Sequence, residues 1–367
     1  MKHYFTSESV TPGHPDKICD QIGDAILDEA LRQDPTSKMA VEATIKDNFI
    51  FVYGEVSTNA IIDYAVIAKD VLKKIGYTEE FEVLVKVAQQ SSEINQAVTS
   101  KFELGAGDQG IMFGYACSET NTHLPLSISL AHKLAKQLHE VFLAQESPIL
   151  KPDGKTQVTV EYDGQIIKRI DAIVVSAQHY PNITQDFLYD FIRKEVIEIV
   201  IDPTLVDDQT KYIINPSGSF VVGGPFGDSG TTGRKIVVDT YGGHGRIGGG
   251  CLSSKDPTKV DRSAAYYCRY VAKNIVANGL AKRFEIQVSY AIGMPDPISI
   301  YINSFGTNTI CETEILKIIN NNFNFSVSNM IAELELTKPI YQETANFGHF
   351  GREDIIFPWE NIKNLQV

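Results

Sequence analysis

Twelve of the chain's 27 glycines fall between Gly218 and Gly250. Without a side chain in the way, the backbone amides of such a run approach a bound group closely. Arg234, Lys235, Lys255, Lys259 and Arg262 stand in and just after the run. Amides beside cations are what a polyphosphate needs. The whole chain carries a net charge of -13. A local positive cluster in so acidic a chain points to a compact anionic ligand rather than to nucleic acid.

At 367 residues the chain is long enough for two or three domains with their own cores. Its 43% hydrophobic and 22% charged residues match an ordinary soluble globular protein. No apolar run approaches the roughly 18 residues of a membrane helix. The start, Met1 to Glu8, lacks the apolar core of a signal peptide. These features predict a cytoplasmic protein with no nucleic-acid and no membrane partner. Cys19, Cys117, Cys251, Cys268 and Cys311 are scattered, odd in number and without a Cys-x-x-Cys pair. That pattern predicts reduced structural thiols, not zinc ligands or disulfides.

Periodicity predicts a first strand and then a helix, with Pro15 in its first turn and Ile18, Ile22, Ala25, Ile26 and Ala30 at helical spacing. Asp34-Pro35 ends it. Strands are predicted at 39–46 and 49–56 around an Asp47-Asn48 turn, then a helix over 60–75 closed by Gly76 and a strand at 81–88. Residues 90–107 have weak periodicity and read as a mobile loop ending in Gly105-Ala106-Gly107. The middle third reads as a helix at 126–144, strands at 156–162 and 165–178 around Asp163-Gly164, and a helix at 186–200. The last third reads as a strand at 235–240, a glycine-rich loop, a helix at 257–278 stopped by Gly279, strands at 284–292 and 298–303, and a helix at 312–321. Hairpin signals outnumber strand-helix-strand crossovers. The fold class is therefore α+β rather than a doubly wound parallel sheet.

The run from Gly227 to Lys235 resembles a phosphate loop but departs from the Walker pattern, with Arg-Lys where Lys-Ser/Thr belongs. A plain turn between strands is the other reading. His14-Pro15-Asp16-Lys17 lies at a helix start, where unpaired amides favour an anion. His14 can donate to a phosphate oxygen or a leaving group, and Asp16 can hold magnesium. Equally, Asp16 complements the helix dipole and His14 only leads into the helix. Asp261, in the first turn of its own helix, has the same two readings. In the predicted hairpin Lys46 opposes Phe49, which makes Glu42 and Glu55 diagonal neighbours on one face. Two carboxylates so placed repel unless a cation lies between them. They read either as ligands for a metal ion and a substrate amine or as a solvated acidic face. Lysines at 151–155 and 253–259 add cations, or are solvated surface. No zinc spacing and no Ser-His-Asp signature is visible.

Several of these segments together resemble the S-adenosylmethionine synthetase family. They are Gly13-His14-Pro15-Asp16-Lys17, Gly105-Ala106-Gly107-Asp108-Gln109-Gly110, Gly223-Gly224-Pro225, Gly227 to Lys235, Lys255-Asp256-Pro257, Asp261 to Tyr266 and Gly348-His349-Phe350-Gly351-Arg352. They occur in the family's order over nearly the whole chain. The resemblance implies three similar α+β domains of mixed and antiparallel sheets with helices in a pseudo-threefold arrangement, at 1–100, 103–221 and 222–367, with segments that can interleave in space. It implies ATP and L-methionine as substrates, and a homodimer or homotetramer whose active sites are shared between subunits. The methionine sulfur would attack C5′ of ATP and displace tripolyphosphate, which is then hydrolysed to pyrophosphate and phosphate.

By the same resemblance, His14, Lys155, Arg234, Lys235 and Lys255 would be catalytic. Asp153, Ser217, Phe220, Asp228 and Cys251 would join them in binding ATP. Glu55, Gln90, Asp228 and Lys259 would contact methionine. Asp16 and Asp261 would hold two magnesium ions, and Glu42 a potassium ion. Residues 90–107 match the family's gating loop. The chain departs from the family pattern at Ser219, where arginine is common, and at Ile247, where histidine is usual. Cys251-Leu252-Ser253-Ser254 also replaces a usual Ala-Phe-Ser-Gly.

Overall fold

Local signals set most elements of the computed structural model, which describes residues 1–90 and 104–366. Strand β1 (Lys2–Val10) runs into helix α1 (Pro15–Gln33), with His14 as N-cap and Pro15 in the first turn, where its missing N–H leaves nothing unpaired. Strands β2 (Lys38–Lys46) and β3 (Phe49–Ser57) pair in the predicted register, Lys46 opposite Phe49 and Glu42 opposite Tyr53. Asp47 takes the left-handed conformation (φ 52) that a tight hairpin turn requires. Helix α2 (Tyr64–Ile75) starts at the Asp63 cap, later than its apolar pattern suggests, and stops at left-handed Gly76. Strand β4 (Glu82–Gln89) then pairs parallel to β3.

Strand β5 (Gly110–Cys117), helix α3 (Leu126–Ala144), and strands β6 (Leu150–Asp163) and β7 (Ile166–His179) follow. Next come helix α4 (Gln185–Ile192), strand β8 (Lys211–Ile214) and the two-residue strand β9 (Gly230–Thr231). The chain continues through helix α5 (Val260–Ala277), strands β10 (Arg283–Tyr290) and β11 (Ser299–Asn303), and helices α6 (Glu312–Asn322) and α7 (Val327–Glu333). The strands form three sheets, in the orders β1-β6-β7-β8, β11-β10-β5 and β4-β3-β2-β9. Each sheet takes in one strand from a distant part of the sequence. β1 pairs with β6, β5 with β10 and β9 with β2. Helix α3 packs on β1 and β6, α5 on β5 and β10, and α1 on β2 and β9. One core cluster lies between α1 and α5 and their sheets, and a second under α3, β6 and β7. The architecture is α+β. Among the described residues no helix is long and apolar enough to cross a membrane.

Some expectations fail. Residues 236–239 form one helical turn (Ile236–Asp239), not a strand. Their β-branched run favours a strand, but the Asp239 carboxylate is drawn to the buried Lys17 ammonium at 2.6 Å, and tertiary pairing overrides propensity. The β6–β7 turn is centred on Gly164-Gln165, because Asp163 pairs with Ile166. The helix predicted at 186–200 passes through a π-helical stretch at Arg193–Ile197. Strand β5 lacks alternation because Met112 to Cys117 are buried throughout, so its sequence gives no period-2 signal. Of the loop predicted at 90–107, residues 91–103 lie outside the described residues. Ala106 and Gly107 are held by backbone bonds to Met294 and Thr258.

Helices α1 and α5 are fastened by a bidentate pair. Arg262 Nη1 and Nη2 donate to Asp24 Oδ1 and Oδ2 at 2.7 and 2.9 Å, and both side chains are fully buried. The guanidinium also lies 4.2 Å from the centre of the Tyr341 ring. Arg262→Met leaves Asp24 as an uncompensated buried charge and should destabilise the fold by about 3–5 kcal/mol. A thermal melt showing an unchanged midpoint would contradict this.

Candidate active site

Helix α1 carries aspartates at 16, 20, 24 and 28, a four-residue spacing that places all four along one side of the helix. All four are buried. Each accepts backbone N–H groups from the last third of the chain. Thr231 donates to Asp16 at 3.0 Å, Gly233 to Asp20 at 2.8 Å and Ser254 to Asp24 at 2.7 Å. Tyr341 and Gln342 donate to Asp28 at 2.9 and 2.8 Å. Burial pushes the Asp28 carboxyl up to about 6 in spite of these two bonds.

Asp16 sits at the head of this ladder. Lys235 Nζ lies 2.6 Å from Oδ2 and Arg234 Nε 3.4 Å from Oδ1. Burial works to raise this carboxyl, but the Lys235 and Thr231 hydrogen bonds outweigh it and hold Asp16 below its ordinary value. The Asp16 N–H donates to His14 Nδ1 at 3.2 Å. The neutral His14 ring therefore carries its hydrogen on Nε2. Burial first, and then the charges of Lys235 and Lys155, push His14 down to about 3. At neutral pH it is a hydrogen-bond donor, not an imidazolium.

Lys155 projects from β6, opposite Val10 on β1 and Ser176 on β7, and its charge acts on both His14 and Asp153. Asp153 Oδ2 accepts from Gly224 N–H at 2.7 Å, while its buried Oδ1 has no partner. Burial raises Asp153 to about 6. The Asp228 carboxylate is exposed and also bears on His14 and Asp153. The Phe220 ring lies against Gly223, beside the Gly224 that serves Asp153, and Ser217 is exposed in the same turn. One group therefore gathers His14, Asp16, Asp153, Lys155, Asp228, Arg234 and Lys235, with Phe220 at its edge; Ser217 is exposed, and among the described residues no hydrogen bond joins it to the group.

A second group forms on the outer side of β2 and β3. Lys255 donates to the Asp261 carboxylate, and its backbone bridges to Ala40. Ala40 is paired on its other side with Glu55. Glu42, two residues along, accepts weakly from the Tyr53 hydroxyl at 3.4 Å. Gly250 lets the backbone press on Asp261, since a Cβ there would lie 2.2 Å from its carboxylate. Lys259 is bound to buried Asp256 at 2.6 Å. Gln90 donates its N–H to Val56, and its buried Oε1 has no partner. Cys251 lies between the groups. A Cβ at left-handed Gly233 would meet Cys251 Cβ at 2.5 Å, and burial raises the thiol to about 11. Among the described residues no hydrogen bond or ion pair joins Lys255 or Asp261 to Asp16 or Lys235.

No cluster of three or more His, Cys, Asp or Glu side chains among the described residues forms a metal cage. Magnesium does not need one, because it binds through one or two carboxylates, phosphate oxygens and water. Asp16 and Asp261 suit that role, since each already holds a cation, a lysine ammonium, against its oxygen. Lys17 closes the Gly13-to-Lys17 motif, which implies no role of its own for it, and Asp20, Asp24 and Asp239 carry no motif that marks them. For Asp20 and Asp24 the one signal is the spacing of the aspartates, and acids at helical spacing ordinarily read as a solvated face.

The chain matches family models over almost its full length. Residues 2–100 match the S-adenosylmethionine synthetase N-terminal domain, 103–220 the central domain and 222–361 the C-terminal domain. It is 49% identical to an S-adenosylmethionine synthase of Clostridium tetani, over 100% of this chain and 98% of that protein. It is 48% identical to one of Staphylococcus epidermidis, over 100% and 97%, and 50% identical to one of Sorangium cellulosum, over 98% and 88%. With three successive domain models in order and near-half identity from end to end, the chain belongs to the S-adenosylmethionine synthetase family.

Proposed function

We propose that this methionine adenosyltransferase joins ATP and L-methionine by direct displacement at C5′. A sulfur lone pair forms the S–C5′ bond, the C5′–O bond breaks, and its electron pair leaves with tripolyphosphate. The organic product is the sulfonium S-adenosylmethionine. Water then cleaves the tripolyphosphate to pyrophosphate and phosphate. A thioether is already a good nucleophile, so the protein must supply alignment and a stabilised leaving group rather than a base. The observation that carries this reading is the head of α1, where neutral His14 stands beside Asp16, Arg234 and Lys235.

His14 donates through Nε2–H to the departing oxygen. Lys155, Arg234, Lys235 and Lys255 face the phosphates. The unpartnered Oδ1 of Asp153 accepts from a hydroxyl of ATP, with Ser217, Phe220 and Cys251 alongside. Glu55 and the free Oε1 of Gln90 take the methionine ammonium. Asp228 reaches both substrates, and Lys259 lies toward the methionine or phosphate end. Asp16 and Asp261 would hold the two magnesium ions, which neutralise charge on the phosphate oxygens. Glu42 would hold potassium beside Glu55. Among the described residues no hydrogen bond or ion pair joins Lys255 or Asp261 to Asp16 or Lys235, which supports a homodimer or homotetramer in which the first group of one subunit faces the second group of its partner. Five free thiols accord with a cytoplasmic setting.

The decisive experiment is product analysis. ATP and methionine should yield a sulfonium with both pyrophosphate and phosphate, and formation of ADP would overturn the mechanism. In that assay Asp16→Asn and Lys235→Ala should each lower kcat by about 10²–10³ with the fold intact, since each removes charge facing the leaving group; near-normal rates would remove those roles. Potassium should stimulate turnover, and equal rates in sodium and potassium would take Glu42 out of the ion site. The ligand-free His14 ring, held near 3 against its ordinary 6.5, should stay neutral by NMR from pH 8 down to about 5. A titration midpoint near 6.5 would contradict its burial between the two lysines.

A further inference from the structure

We propose that Asp20 is a positioning residue that aims Arg234 and Lys235 without touching substrate. This rests on the role given to those two cations above. Asp20 is fully buried, one helical turn beyond Asp16, so it does not face a ligand. Its Oδ1 accepts the Gly233 N–H at 2.8 Å, the amide just before Arg234. Gly233 is left-handed (φ +78), with Cys251 packed where a side chain would stand, so the backbone there has little freedom to find another partner. Asp20 Oδ2 ion-pairs with Lys17 Nζ at 2.9 Å. The same ammonium bonds Asp239 Oδ1 at 2.6 Å. Asp239 N–H in turn donates to the Lys235 carbonyl at 2.9 Å.

Asp20 and Lys17, themselves ion-paired, thus tie the two ends of the segment carrying Arg234 and Lys235 to α1. The N-terminal end is held through Asp20 and the Gly233 amide, and the C-terminal end through Asp239. The neighbouring rung, Asp16, takes the Thr231 amide and both cationic side chains. Two rungs of one helix therefore set where the backbone lies and where its charges end, about 6 Å apart along the axis. Without the Asp20 rung the Gly233 amide loses its acceptor, and the chain between Thr232, which is bonded to Ala43, and Lys235 is held to α1 by Asp16 and Asp239.

The test uses the full chain and two variants. Asp20→Ala removes the acceptor for Gly233. Asp20→Asn keeps an acceptor oxygen and removes the charge, while Asp239 remains as counter-ion for Lys17. Calorimetry with inorganic tripolyphosphate and magnesium gives the phosphate affinity, steady-state kinetics give kcat and KM for each substrate, and melting curves confirm folding. Asp20→Ala should weaken tripolyphosphate binding and raise KM for ATP about tenfold or more and lower kcat about 10- to 100-fold, since misplacement by about 1 Å is enough for such losses. KM for methionine should stay within about twofold and Asp20→Asn within about threefold of the wild type on every measure. If Asp20→Ala does not fold, Asp20→Glu takes its place, because it keeps a charge for Lys17 but shifts the acceptor from Gly233. Wild-type tripolyphosphate affinity in that variant, or equal damage from Asp20→Asn, would overturn the positioning role. A wild-type chain that binds no tripolyphosphate would overturn the functional reading itself, and this proposal with it.

Discussion

Four carboxylates on one side of a buried helix govern how the rest of this chain is arranged. Taking each out of water costs several kcal/mol unless hydrogen bonds and counter-charges replace the lost hydration. Helix α1 cannot supply them, because its own amides are committed to its own carbonyls beyond the first turn. Most come from elsewhere: Thr231, Gly233, Ser254, Tyr341 and Gln342 supply amides, and Lys235 and Arg262 supply charge, with Lys17 the one counter-ion on α1 itself among the described residues. The last third of the chain is thereby wrapped onto the first, and β9 is delivered to the edge of β2.

The same requirement places the chemistry. Each cationic stretch of the last third follows directly on a residue that bonds to the ladder, Arg234 and Lys235 after Gly233 and Lys255 after Ser254. Helix α5 is fixed by Arg262 on Asp24, so Asp261 is placed beside Lys255. The two groups of polar residues are then held in fixed relation to one helix, although among the described residues no hydrogen bond or ion pair joins Lys255 or Asp261 to Asp16 or Lys235. Asp16 is held below its ordinary value by the Lys235 and Thr231 hydrogen bonds, and Asp261 accepts from Lys255. Burial has a different effect on His14 and Asp153. It keeps the histidine neutral and raises the aspartate, whose buried Oδ1 has no partner.

Much of this was legible in the sequence because it is local. Helix α1 was marked by its apolar spacing and by Pro15, α3 by its uninterrupted pattern, and the end of α5 by Gly279. The β2–β3 register followed from a two-residue turn, so the diagonal placement of Glu42 and Glu55 was fixed before any tertiary contact. The glycine and lysine motifs pointed to a compact anionic ligand. Residues 236–239 were misread because their β-branched run is a local preference, whereas their conformation follows from a salt bridge to Lys17, 222 positions away. Strand β5 gave no signal because a strand covered on both faces loses its alternation.

The sequence by itself determined which segments become helices and hairpins, and which residue types are present to bind a polyanion, because both depend on neighbours within a few positions. Only the tertiary structure decided that the aspartates of α1 face inward, that each sheet takes a strand from far along the chain, and that Gly233 leaves its space to Cys251. The physical reason is that a carboxylate's worth depends on its surroundings. The same four acids would be solvated on an exposed helix, and they organise the fold here because distant amides and cations meet them in a place without water.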